Sequence, residues 1–156
     1  APDPAAFDAS LARYGESDLL AYRATSPDAL IARQAAEWDP LLAWVLQRYD
    51  VHVEVVRGIM HRPQPEATVA RLAEATAARD AFELAALSPI VTIGGSLVVG
   101  LALLERAFPP EQLWSAVNLD ELWQEELWGE DSLATHAREA RRREWDSAVQ
   151  FLEPRH

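Results

Sequence analysis

Cysteine is absent, lysine is absent, methionine occurs once, and glycine occurs six times in 156 residues. Without a thiol the chain can hold no disulfide, no cysteine zinc site and no cysteine nucleophile. The same absence leaves the cellular compartment open. All 14 basic residues are arginine, and together with 28 alanines this reads as the bias of a GC-rich, bacterial genome. Histidine is sparse: His52, His61, His136 and His156 never fall at i,i+3 or i,i+4, and no H-E-x-x-H pattern exists, so no metal site and no cofactor is expected. No G-x-S-x-G elbow accompanies the serines. Gly94-Gly95-Ser96-Leu97 has a passing likeness to a phosphate loop, but it lacks the lysine and the preceding strand. Its small residues are expected to let a neighbouring helix approach closely.

Acidic residues outnumber basic ones 25 to 14, for a formal net charge of −11 and a pI near 4.7. That balance argues against a non-specific grip on nucleic acid, which depends on counterion release by arginine and lysine, and against a polybasic membrane contact. The length suits one compact domain, and 49% hydrophobic residues exclude a disordered tail. The N-terminus, APDPAAFDAS, has no basic or apolar leader region and no initiator Met, which suggests a processed chain or a piece of a longer one. Leu84 to Leu104 is a 21-residue run without a charge, and a spanning helix needs about 20 such residues. Ser88-Pro89, Thr92 and Gly94-Gly95-Ser96 interrupt it, and Glu83 and Glu105-Arg106 flank it. A buried central helix is therefore expected, without stable membrane insertion.

The fold class expected is mainly α: a single domain of about seven helices around that central apolar helix, with one short β-strand or hairpin. Asp3-Pro4 can start a helix that runs to Tyr14 and stops at Gly15. Ser26-Pro27-Asp28 reads as an N-cap followed by proline at the first helical position, and Asp39-Pro40 reads as a second helix start carrying on to about Arg48. Val51 to Val56 is β-branched and alternating, a strand that must find a partner elsewhere. Glu66 to Arg79 is an alanine-rich helix. Asp80 to Arg106 is expected as one long helix, bent near Ser88-Pro89. Shorter helices follow over Pro109 to Val117 and Leu119 to Trp128, and Ser132 to Leu152 forms the last.

The segment from Leu119 to Asp131 is the most informative. It holds six carboxylates and no basic residue. On a helix, Leu119, Leu122, Trp123 and Leu127 share one side as a core face, and Glu121, Gln124, Glu125 and Trp128 fall together on the other. Glu121 and Glu125 form an i,i+4 like-charge pair that costs an isolated helix roughly 0.2–0.5 kcal/mol. A tryptophan beside two carboxylates suits a binding hot spot. The bland reading is that the acids face Arg138, Arg141, Arg142 and Arg143 across a turn at Gly129, with each surface pair worth about 0–1 kcal/mol. A two-carboxylate hydrolase is a poor fit, since nothing beside Glu121 and Glu125 suggests a sugar-binding cleft. Trp38, Trp44, Trp114, Trp123 and Trp145, at helical spacing beside Leu and Val, read as core.

These segments, in one order, carry a family resemblance: Tyr22-Arg23-Ala24, Gln34 with Trp38-Asp39-Pro40-Leu41-Leu42-x-Trp44, Phe82-x-Leu84-Ala85-Ala86-Leu87, Gly95-Ser96-Leu97-Val98, and Leu119-Asp120-Glu121-x-Trp123-Gln124 with Trp128-Gly129-Glu130-Asp131. From about Tyr14 to Leu152 the chain resembles the assembly chaperone (assembly factor 2) that acts on the α subunit of the F-type ATP synthase in mitochondria and α-proteobacteria. It departs from the family at Gly94, where threonine is frequent, at Leu122, where an acid is common, and at Ser88-Pro89. The resemblance implies the family's C-terminal helical domain over 1–156, without the β-rich N-terminal domain that precedes it. It also implies a non-enzymatic chaperone, a monomer when free, in the cytoplasm of a bacterium, as the counterpart of a matrix protein in mitochondria. It would bind newly made α subunit and shield the surface later covered by the β subunit. The family's critical glutamate matches Glu121 best and Asp120 second, so Glu121, Gln124, Glu125, Trp128 and Asp120 are the expected partner-binding residues. The competing expectation is a small acidic helical enzyme or ligand-binding domain with a cleft beside the central helix.

Overall fold

In a computed structural model of the chain, which describes residues 11, 13–58 and 61–153, the uncharged run at the centre is two helices rather than one. Seven α-helices are bounded among the described residues: α1 Asp28–Tyr49, α2 Glu66–Ala77, α3 Ala81–Gly94, α4 Leu97–Leu104, α5 Pro110–Val117, α6 Leu119–Trp128 and α7 Ser132–Phe151. Two strands, β1 Tyr22–Arg23 and β2 Val56–Arg57, complete the set with 3₁₀ turns at Arg13–Gly15 and Leu19–Ala21. The mainly-α class expected from the sequence is what the chain adopts. The helix expected from Asp3-Pro4 lies outside the described residues, except that Leu11 is helical and Arg13–Gly15 is a 3₁₀ turn.

The break falls at Gly95, not at Ser88-Pro89. Asp80 starts α3 with a reciprocal capping box: its carboxylate accepts from the Glu83 amide, and the Glu83 side chain returns to the Asp80 amide. Pro89 is carried inside the helix. Gly95 then takes a left-handed φ of +72°, which a side chain would strain, and its N–H closes α3 on the Val91 carbonyl. Ser96 caps the start of α4 through Oγ, which accepts from the Val99 N–H at 3.1 Å. The turn lets the two apolar helices pack on each other. Seven of the eight residues of α4, Leu97 to Leu103, are buried. Gly94 serves the close approach expected of it, since a Cβ there would meet Val117 Cγ1 at 3.0 Å.

An unexpected polar group ties this turn to the start of the chain. Asp18 is buried, and its carboxylate accepts from the Leu20 N–H at 3.1 Å and from the Val98 N–H at 3.0 Å. It thus caps the 3₁₀ turn and satisfies an orphan amide in the first turn of α4. Burial pushes its carboxyl up, and hydrogen bonds from Ser96, Val98 and Leu20 pull it back only in part.

Two local expectations are corrected. First, Asp39-Pro40 starts no helix: α1 runs unbroken from Asp28 to Tyr49, with Pro27 at the N-cap position in place of Ser26 and Pro40 inside. Trp38, Leu41 and Val45 form one buried stripe across the proline, while Ala36, Asp39 and Pro40 are exposed. The carbonyl that Pro40 cannot serve therefore belongs to an exposed residue, Ala36, and packing on both sides of the ring holds the helix together. Second, only Val56 of the expected strand Val51–Val56 is in a strand. β2 pairs in parallel with β1, Tyr22 opposite Val56 and Arg23 opposite Arg57. Upstream, Val51 and Val53 are buried by packing, and the Glu54 backbone is held by Gln64, which donates to its carbonyl at 2.8 Å and accepts from its N–H at 2.9 Å.

Around α3 and α4 the tryptophans behave as core where they are large and central. Trp38 and Trp145 are fully buried, Trp38 donates to the Ala116 carbonyl at 2.8 Å, and Trp114 meets Trp145 edge to face at 5.3 Å. Trp44 and Trp123 are only half-buried.

Because the Pro40 ring lies on the solvent face of an intact helix, Pro40→Ala restores one backbone hydrogen bond without disturbing the core. It should raise the free energy of unfolding by about 1–2 kcal/mol, the helix-interior gain offset in part by a freer unfolded chain. Urea denaturation checks this, and a loss of stability would show that the ring itself contributes packing.

Candidate functional site

The acidic segment occupies α6 and the turn into α7. Asn118 separates α6 from α5, donating from Nδ2 to the Trp114 carbonyl at 2.9 Å while its own carbonyl accepts from the Leu122 N–H. Leu119 is the one buried residue of α6. The apolar face expected along Leu119, Leu122, Trp123 and Leu127 thus holds only at its start: Leu122 and Trp123 are half-buried and Leu127 is 53% exposed. The helix ends at Gly129, whose φ of +88° and open surroundings suit glycine alone, and Asp131 caps α7 by accepting from the Leu133 N–H at 2.9 Å. Trp145 and Ala148, in the C-terminal part of α7, are its buried residues. From Asp120 to Glu144 no described side chain is fully buried. The two helices therefore leave the core as a polar hairpin.

Charge pairing spans that hairpin. Arg138 lies 3.0 Å from Glu121 and 2.6 Å from Glu125, and Arg141 lies 2.8 Å from the second oxygen of Glu121. Hydrogen bonding to Glu125, joined by that to Glu121, raises the affinity of the Arg138 guanidinium for its proton above its ordinary range. One arginine between two carboxylates removes the i,i+4 repulsion within α6. On the other flank, Asp120 accepts from Gln34 Nε2 at 2.9 Å, Gln34 Oε1 accepts from the Ala24 N–H at 2.8 Å, and Glu126 pairs with Arg33. Arg142, expected among the partners of the acidic helix, instead pairs with Glu111 and with Asp146.

The five sequence-predicted residues are therefore divided over three places. Glu121 and Glu125 face α7 and its arginines, as the bland reading expects. Asp120 and Gln124 line an open groove of about 320 Å³ with Trp123, Gln34, Leu30 and Tyr22. Trp128 stands at the tip, 81% exposed. Across the turn from it, the sequence reasoning missed Leu133, 79% exposed on the first turn of α7. A signal was present: Leu133 is the one large apolar residue between Trp128 and Trp145, so it has no large neighbour one turn on to join in a core stripe. The depression beside α4 and the end of α7, about 490 Å³ and lined by Leu103, Phe108, Pro109 and Val149, is open to solvent and mainly apolar. No group of three or more His, Cys, Asp or Glu side chains among the described residues is placed to hold a metal ion. No helix among them is long and apolar enough to cross a membrane.

The family model described as ATP12 chaperone protein matches residues 1–46. Among solved structures, the chain is similar to Atp12 from Paracoccus denitrificans, with 33% identity and a TM-score of 0.91 over 94% of this chain and 63% of that one. A point mutant of Atp12p from the same organism gives 32% identity and a TM-score of 0.92, over 95% and 63% of the two chains. The Atu1473 protein from Agrobacterium tumefaciens gives 36% identity and a TM-score of 0.87, over 96% and 56%. The chain thus spans less than two thirds of the length of these relatives.

Because the hairpin has no buried side chain beyond its base, the pairing of Arg138 with Glu121 should be measurable in stability. A double-mutant cycle with Glu121→Gln and Arg138→Gln is expected to give a coupling of roughly 0.5–1 kcal/mol, shrinking in 1 M salt. A coupling of zero at low salt would mean that other contacts hold the hairpin closed.

Proposed function

The chain belongs to the ATP12 chaperone family, and from that premise we propose that it is a molecular chaperone for assembly of the F-type ATP synthase catalytic head, binding the free α subunit. In this role it shields the surface of α that the β subunit later covers, in the bacterial cytoplasm and without catalysing a reaction. The relatives that share this family are longer than this chain, so the helical part must carry a client-binding surface of its own.

The observation that carries the reading is Trp128. A tryptophan 81% exposed on the acidic helix contributes little to the fold, and in a protein whose other tryptophans are buried or half-buried it stands out as an anchor for a partner. An assembly intermediate exposes an apolar face that aggregates when left in water, and an aromatic anchor can occupy such a face. Asp120, Glu121, Gln124 and Glu125 supply the acidic surroundings that set encounter rate and partner choice more than raw affinity. Glu121 is already engaged by two arginines of its own chain, so it acts in binding as part of a preformed charge cluster.

Co-expression with the α subunit tests this reading. The chain should keep α soluble, and Trp128→Ala should weaken capture by tenfold or more, the scale of a hot-spot truncation of about 2 kcal/mol. Glu121→Lys should abolish capture with the helical spectrum unchanged. A Glu121→Lys chain that unfolds would assign Glu121 to structure alone, and full capture by a folded Trp128→Ala chain would remove the anchor.

A further inference from the structure

The geometry points to the turn between α6 and α7, which carries the exposed side chains of Leu127, Trp128 and Leu133, as a docking surface for an apolar protein segment flanked by arginine or lysine. That the docked protein is a client rests on the chaperone reading above. The chemistry of the segment rests on the hairpin itself, and it extends the surface from the acidic helix onto α7.

Leu127, Trp128 and Leu133 are 53%, 81% and 79% exposed, and they lie within seven residues of chain across a single turn. Every other exposed large apolar side chain among the described residues, such as Leu46 and Val55, is less than half exposed. The patch is also held in place before anything binds: Gly129 fixes the turn, Asp131 caps α7, and Arg138 bridges Glu121 and Glu125 one to two turns below. A surface ordered in advance loses little freedom on docking.

Charge decides the occupant. Glu130 and Asp131 rim the patch and are exposed, and no arginine or lysine occurs between Arg106 and Arg138. Arg138 and Arg141 are engaged by Glu121 and Glu125, Arg142 by Glu111 and Asp146, and Arg33 by Glu126, while the exposed Arg143 lies about three turns along α7 from the rim. The cation that complements the rim must therefore come from the partner. A second copy of this chain docked face to face would set Glu130 and Asp131 against their own counterparts, and an anionic lipid surface would be repelled.

Fluorescence anisotropy with two synthetic helical peptides, one Leu/Arg and one Leu/Glu, tests the surface, alongside capture of α subunit by the same proteins. The wild-type chain should bind the Leu/Arg peptide about tenfold or more tightly than the Leu/Glu peptide, and the preference should shrink in high salt. Leu133→Asp should weaken both the Leu/Arg peptide and α capture by about tenfold, the scale of losing an interface anchor. An acid at that position suits a helix start, so the fold should hold, and Leu127→Gln on the other helix provides a second variant with the same expectation. The docking surface is overturned if the wild-type chain shows no binding or no preference, or if both variants bind as well as wild type. Self-association of the wild type that Leu133→Asp abolishes would also overturn it, by making a second copy the occupant. If α is captured equally by wild type and variants, the docking surface falls and the chaperone reading stands. If α is never captured but the peptide pattern holds, the chaperone reading falls and the docking surface stands.

Discussion

Twenty-one consecutive uncharged residues, Leu84 to Leu104, must be kept from water, and that requirement organises the molecule. A single helix of that length would be about 30 Å long, too long for the rest of so short a chain to cover on every side. The left-handed turn at Gly95 folds it into two shorter pieces that cover each other. Gly100 shows how closely they meet: a Cβ there would lie 2.6 Å from Leu87 Cδ1 and 2.8 Å from Val91 Cγ2. The remaining elements close the open sides. The Trp38–Leu41–Val45 stripe of α1 and Trp145 of α7 supply the large buried surfaces, and Asp18 stitches the chain's start to the first turn of α4.

Helix α7 serves two solvents along one axis. Its C-terminal part brings Trp145 and Ala148 into the core, whereas the turns before it carry arginines, glutamates and an exposed leucine. Anchoring one end of a long helix in a packed core makes the other end a stiff support, and α6, buried only at Leu119, can then be held against it by charge along the rest of its length. A different cluster does comparable work near the core: Glu105 gathers Arg48, Tyr49 and Arg79 and so joins α1, the residues between α2 and α3, and the end of α4. Burial alone would raise the Glu105 carboxyl, but hydrogen bonds from Tyr49 and Arg48 and the nearby Arg79 charge hold it below the usual carboxylate range.

The class of the fold and most helices were legible from period and punctuation. Alanine-rich spacing located α2, Pro109-Pro110 located α5, and the Gly129 turn located the ends of α6 and α7. The failures share one cause, which is that tertiary packing outvoted a local signal. Asp39-Pro40 is a strong helix start in isolation, yet buried residues on both sides of it carry the helix through. Val51–Val56 alternates like a strand, yet its partner is the two-residue β1, so only its last valine pairs and the others are buried by packing. Ser88-Pro89 reads as the bend, yet the conformation that demands glycine lies six residues further on, at Gly95. Of the site, the composition identified the acidic helix and its tryptophan, and even the arginines that would neutralise it. The helical wheel also put Glu121 and Glu125 on one side, as found; what it could not give was the rotation of the neighbouring helices, which bonds Asp120 to Gln34 and turns Arg142 to Glu111. The helix faces α7 with Glu121 and Glu125, and only the position of that neighbouring helix decides which carboxylates are spoken for.

That rotation changes the meaning of the net charge of −11. Six carboxylates lie between Asp120 and Asp131, but Glu121, Glu125 and Glu126 are matched by arginines and Asp120 is bonded to Gln34. Glu130 and Asp131, at the turn, face solvent beside the most exposed apolar side chains among the described residues. Here the paired acids build a support, and Glu130 and Asp131, which no arginine matches, mark the end of it where the proposed apolar partner carrying positive charge would be attracted.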